Sequence, residues 1–97
     1  MKTLQQSSAA LRRGETSSAA LVSEALAHIA DPSGEGARTF LKVYATAPEH
    51  ARVADRLREL GVAPAPLAGI PVSIKDLFDV AGETTPGGSK VLAAAPL

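Results

Sequence analysis

The side chain best placed to do chemistry in this 97-residue sequence is Lys75. It closes the run Ile70-Pro71-Val72-Ser73-Ile74-Lys75-Asp76, which the pattern predicts as a strand. Alternation puts Ile70, Val72 and Ile74 on one face of that strand and Ser73 and Lys75 on the other. An ammonium buried there costs desolvation energy unless it is paired or loses its proton. Asp76 is adjacent but points the other way in a regular strand, so it is no obvious partner. A lysine held neutral in this way acts as a general base. The competing reading is a lysine whose stem lies on the apolar strand while its head reaches solvent. Spacing alone favours the second reading.

Other candidates are weaker. The stretch from Gly82 to Ser89 is rich in glycine but is not a phosphate loop. Counted from Gly82, the pattern Gly-x-x-x-x-Gly-Lys-Ser/Thr needs lysine at position 88, where Gly88 stands. His28 falls on a predicted helix with no second histidine or acid read at ligand spacing, which suits a surface or packed histidine. The chain has no cysteine, which excludes disulfide scaffolds, cysteine zinc sites and thiol catalysis. Neither a metal site nor a cofactor site is expected.

The elements that must position Lys75 follow from capping and periodicity. Residues Leu4 to Arg13 form a short helix ended by Gly14, with Arg12 and Arg13 suited to its negative end. Thr16 offers an N-cap for a second helix, whose apolar face is Leu21, Val22, Ala25, Leu26 and Ile29. Asp31-Pro32 stops it, and Ser33 to Gly36 is a loop. Thr39 to Tyr44 reads as a strand. Thr46 and Pro48 open a third predicted helix, with Ala47, Ala51, Ala54 and Leu57 as its stripe and Gly61 as its cap. The pairs Glu49/Arg52, Asp55/Arg58 and Arg56/Glu59 lie three residues apart and read as a solvated face. Val62 to Gly69 should be extended, because prolines push their predecessors out of the helical region. Residues 91–97 read as the start of another element.

Composition sets the remaining bounds. Ten Lys+Arg against ten Asp+Glu give zero net charge, which argues against a basic nucleic-acid arm or membrane-surface module. No apolar run is long enough for a membrane-spanning helix, and no signal-peptide pattern follows Met1. The expected location is therefore cytoplasmic. Aromatics are only 3% of the residues, and alanine supplies much of the apolar fraction. Such a set buries little area for independent folding, so the chain reads as a piece of something larger.

The segment Leu67-Ala68-Gly69-Ile70-Pro71-Val72-Ser73-Ile74-Lys75-Asp76 resembles the strand bearing the catalytic lysine in the amidase signature family. The continuation Leu77-Phe78-Asp79-Val80-Ala81-Gly82, then Thr85, Gly88 and Ser89, also resembles the stretch after that lysine in the family. Gly14-Glu15-Thr16-Ser17 and the third predicted helix resemble the family's N-terminal region, so the likeness spans nearly the whole chain and is strongest over 66–89. These enzymes are serine hydrolases of amides with a Ser–cis-Ser–Lys triad. The resemblance implies that Lys75 is catalytic, and that it is the one triad member in this chain. The two serines belong to a downstream segment of the type Gly-Gly-Ser-Ser-Gly-Gly-Ser, which Gly87-Gly88-Ser89-Lys90 is not. Ser73, on the face of Lys75, reads as a packing or lining residue.

The implied fold class is α/β, a mixed sheet wrapped by helices. Residues 1–97 would supply its N-terminal helices and first strands: 1–61 mainly helical, 66–89 a strand and loop carrying the lysine. The implied function is hydrolysis of a small-molecule amide, without a cofactor, and residues 1–97 alone are expected to be inactive. One alternative is the amidase subunit of a tRNA-dependent amidotransferase. Another, from a different class, is a non-catalytic interaction module. No nucleic-acid contact and no membrane partner is legible, and homo-oligomerisation is left open.

Overall fold

The computed structural model of the chain describes residues 2–62, 65–75 and 80–82. Four helices follow one another: α1 (Leu4–Arg12), α2 (Ser18–Ala30), α3 (Gly36–Thr39) and α4 (Ala47–Glu59). Local partners for the free backbone groups mark most ends of the long helices, although Thr46, the N-cap of α4, makes no side-chain capping bond. At the start of α1, the Thr3 hydroxyl accepts from Gln6 N at 3.1 Å and the Gln6 side chain accepts from Thr3 N at 2.9 Å, a closed capping box. The α2 N-cap is Ser17, one residue beyond the expected Thr16; its hydroxyl accepts from Ala20 N at 3.0 Å. Pro48 sits in the first turn of α4, where its missing N–H costs nothing. Gly61, at φ 79°, ends that helix. Val62 N donates to Leu57 O at 2.8 Å and Gly61 N to Arg58 O at 3.0 Å, a Schellman pair that needs the left-handed residue between them.

The helices pack through small side chains. α2 lies against both α4 and α3. Among the described residues the buried apolar side chains are Ala10 and Leu11 of α1, Val22 of α2 and Ala51 of α4, and Ser7, Ser8 and Ser18 are buried with them. The expected stripes of α2 and α4 face inward only in part. Val22 and Ala51 are buried, Leu21, Ala25, Leu26, Ile29, Ala47 and Ala54 are half-buried, and Leu57 is exposed.

Three expectations are corrected. The strand expected over Thr39 to Tyr44 is not formed. Thr39 ends α3, its N and Oγ1 both donating to Glu35 O at 2.9 and 2.8 Å, and residues 41–44 run exposed without a ladder. The described part of the strand expected over Ile70 to Asp76, residues 70–75, is also unpaired, and Asp76 lies outside the described residues. Its apolar face is left without cover: Val72 is 82% and Ile74 54% exposed. Strand propensity does not by itself supply a neighbour, and among the described residues no strand exists to pair with either segment. The α/β class therefore rests on family likeness, while the described residues are helical and irregular. Third, the Pro-rich approach is not extended over 65–69. Ala68 N donates to Ala65 O at 3.1 Å with Pro66 at the second turn position, and Ile70 N donates to Leu67 O at 3.2 Å with Gly69 at the third. Proline and glycine favour those turn positions. The Gly-rich loop beyond Gly82 and residues 91–97 lie outside the described residues.

Candidate active-site segment

Two consecutive turns over 65–70 launch the segment that ends at Lys75, and three helices hold them. From α1, Ser8 Oγ donates to Pro66 O at 2.6 Å. From α4, the Arg58 guanidinium donates to Ala68 O at 3.4 Å, to Ser18 Oγ at 3.0 Å and to Asp55 Oδ1 at 2.9 Å. Ser18, the first residue of α2, is fully buried, and the Asp55 and Arg58 side chains are only 19% and 22% exposed. Gly69 completes the arrangement at φ 82°. A Cβ at that position would overlap Ser18 Oγ and Arg58 Nη2 and crowd Ala54 Cβ at 3.3 Å, so the turn can approach the cluster only as glycine.

Asp55 is the electrostatic centre of this cluster. Its two oxygens accept from Ser18 N at 2.6 Å and Ala19 N at 3.0 Å, the first two amides of α2. With Ser17 serving Ala20 N and Leu21 N, all four leading amides of α2 have acceptors. Burial pushes the Asp55 carboxyl upward, but the bonds from Ala19 and Ser18 and the adjacent Arg58 outweigh it and hold the group below the ordinary carboxylate value. The helix dipole favours a negative charge at this end.

The Asp55/Arg58 pair was expected on a solvated face together with its two look-alikes, and that reading is corrected. Glu49/Arg52 and Arg56/Glu59 do form exposed pairs, whereas Asp55 and Arg58 turn inward to bind α2 and the 65–70 turns. The spacing of the three pairs is identical, so pair spacing alone does not separate them. The side on which Ala51 and Ala54 lie was the available clue, because residues three and four apart share a helix face.

Lys75 and Ser73 both lie exposed on the run that leaves these turns, and the described contacts do not bring them together with another reactive side chain. His28 is exposed, and Glu24, one turn back, approaches its Nε2 to 3.9 Å, an acid neighbour that the spacing argument overlooked. Among the described residues no group of three or more His, Cys, Asp or Glu is gathered as for a metal ion. A surface groove of about 560 Å3 lies along α1 and is lined by Lys2, Gln5, Gln6, Ala9, Arg12 and Glu15, not by Lys75. None of the described helices is long and apolar enough to cross a membrane.

Comparison with known proteins places this segment within a family match. A model described as Amidase matches residues 20–96, a span that includes the anchored turns and Lys75. A glutamyl-tRNA(Gln) amidotransferase subunit of Chromohalobacter salexigens is 42% identical over 92 residues, covering 94% of this chain and 18% of the relative. The protein of the same name from Thermobifida fusca is 40% identical over 85 residues, covering 87% of this chain and 17% of the relative. The 1-carboxybiuret hydrolase subunit AtzE of Pseudomonas sp. strain ADP is 36% identical over 83 residues, covering 86% and 18%. The chain thus spans less than a fifth of the length of these relatives. No solved structure matches it.

Proposed function

The chain belongs to the amidase family, and from that membership we propose that residues 1–97 are the N-terminal portion of an amide-bond hydrolase whose general base is Lys75. The observation that supports this most is the family match running through Lys75 in the setting Gly69-Ile70-Pro71-Val72-Ser73-Ile74-Lys75-Asp76. In this reading residues 1–61 form the helical support, and 66–89 the strand and loop that present the base. The strand forms when residues elsewhere in the enzyme offer it a neighbour, and the apolar side chains of Val72 and Ile74 then gain cover.

The proposed chemistry is acyl transfer. Neutral Lys75 Nζ takes a proton from a bridging serine in the cis-peptide conformation, and that serine takes one from the nucleophilic serine. The nucleophile bonds to the amide carbonyl carbon, and backbone N–H groups hold the negative charge that develops on oxygen. The C–N bond breaks, the departing amine receives a proton, and the acyl-enzyme is hydrolysed by water. Both serines lie in a Gly/Ser-rich segment outside residues 1–97. The substrate is a small-molecule amide, and the chemistry needs no cofactor. In the full-length protein, loss of amide hydrolysis in both Lys75→Ala and Lys75→Arg tests the assignment.

A second reading is favoured by the names of the relatives, each of which is called a subunit. Here the same chemistry releases ammonia from glutamine within a tRNA-dependent amidotransferase. Glutaminase activity that appears only with partner subunits distinguishes this from a free-standing amidase.

A further inference from the structure

We propose that Arg58 is a positioning residue for Lys75, setting the register in which the 70–75 run enters the active site; this rests on the reading of Lys75 as the base. Arg58 is 17 positions from Lys75 in sequence and belongs to α4, yet its Nη2 reaches Ala68 O at 3.4 Å while also donating to Ser18 Oγ at 3.0 Å. Its Nη1 is fixed on Asp55 Oδ1 at 2.9 Å, so the guanidinium is held by both α2 and α4 where it meets the turn. Ser8 Oγ fixes Pro66 O at 2.6 Å, a second tether two residues away. No ladder holds the chain from Pro71 to Lys75 in the described structure. In the full-length enzyme, where a neighbour pairs this run, the anchored end sets which residue enters the ladder first, and the last tether precedes Ile70. The period of an extended chain is two, so a slip of one residue turns every side chain to the opposite face. A slip at Ala68–Gly69 would exchange the faces of Ile74 and Lys75, taking the base out of the site. Gly69 makes the anchor exclusive, because only a residue without a side chain fits against Arg58 and Ser18.

The test uses the full-length enzyme containing these residues, with steady-state amide hydrolysis and thermal unfolding measured on each variant. Arg58→Ala is expected to lower kcat by about a hundredfold with KM little changed, the scale expected for a misplaced catalytic group. Added guanidinium is expected to restore part of kcat in Arg58→Ala and none in Lys75→Ala. Arg58→Lys, which keeps the charge but not the planar fork, should fall between wild type and Arg58→Ala. A wild-type kcat in folded Arg58→Ala, whatever its thermal midpoint, overturns the proposal. If Arg58→Ala does not fold, Arg58→Lys and Ser18→Ala decide: reduced kcat at unchanged KM supports the proposal, and wild-type kcat in both overturns it. Retained activity in Lys75→Ala removes the reading of the base itself. Loss in Lys75→Ala with wild-type rates in the Arg58 variants overturns only the positioning role.

Discussion

Asp55 closes the N-terminus of α2 at Ser18, a residue 37 positions earlier in the chain, accepting Ser18 N at 2.6 Å. The carboxylate also takes Ala19 N, so a side chain from one helix performs the capping of another. This joins the two longest helices by polar contacts at a place where the apolar contacts are small, since Val22 and Ala51 are their only buried apolar side chains among the described residues. It also ties both helices to Arg58, and through Arg58 to the turn that precedes Lys75.

Asp55→Ala should therefore destabilise the protein by about 1–3 kcal/mol, because it leaves two helix amides and a guanidinium without their acceptor. Glu49→Gln on the exposed face of the same helix should change stability by less than about 0.5 kcal/mol. Urea denaturation of the two variants checks the contrast, and equal effects would refute it.

Acid stability should carry the signature of the same carboxylate. Its folded pKa lies below the ordinary value. The stability it contributes is therefore complete above about pH 4, the unfolded carboxyl range, and is lost as pH falls through the lower folded value. Stability of Asp55→Asn should fall less steeply with acid than wild type across that window. Parallel curves from pH-dependent denaturation would show that Asp55 is not responsible.

Gly69→Ala should cost about 1–3 kcal/mol through the positive φ alone. The overlap of the new methyl with Ser18 Oγ and Arg58 Nη2 adds to this. Gly82, also at positive φ but with nothing within 4 Å among the described residues, makes a control for the conformational penalty. Thermal unfolding of both variants should rank Gly69→Ala as the more damaging, and the reverse order would contradict the close packing.

Hydrogen exchange on residues 1–97 should separate the helices from the run that ends at Lys75. Amides in the middle of α2 and α4 should exchange slowly, and those of Val72 to Lys75 quickly, since no ladder protects them here. Slow exchange across Val72 to Lys75 would show that the strand forms within these residues alone.

Helices α1, α2 and α4 were legible because their punctuation is local, whereas α3 fell where a loop and a strand were expected. Gly14, Asp31-Pro32, Pro48 and Gly61 stand close to the observed ends, and the apolar spacing of α2 and α4 marks their inward sides. Ser17 in place of Thr16 is a one-residue choice between two good capping side chains, decided by which hydroxyl meets Ala20 N. The strands were misread because β-branched runs state a preference, while a strand needs a partner from another part of the chain. The anchoring cluster was missed for a similar reason. Asp55 and Arg58 look like any surface pair until α2 and the 65–70 turns are brought against them. Lys75 was singled out through the resemblance and stands as a proposal, since spacing alone favoured a lysine reaching solvent.

The most direct measurement is kcat for amide hydrolysis by the full-length protein with Lys75→Arg. Arginine keeps the charge and most of the length of lysine but does not give up its proton at accessible pH. If Lys75 is the base, Lys75→Arg must be nearly as inactive as Lys75→Ala while remaining folded. A near wild-type kcat in Lys75→Arg would make Lys75 a structural cation and contradict the proposed function.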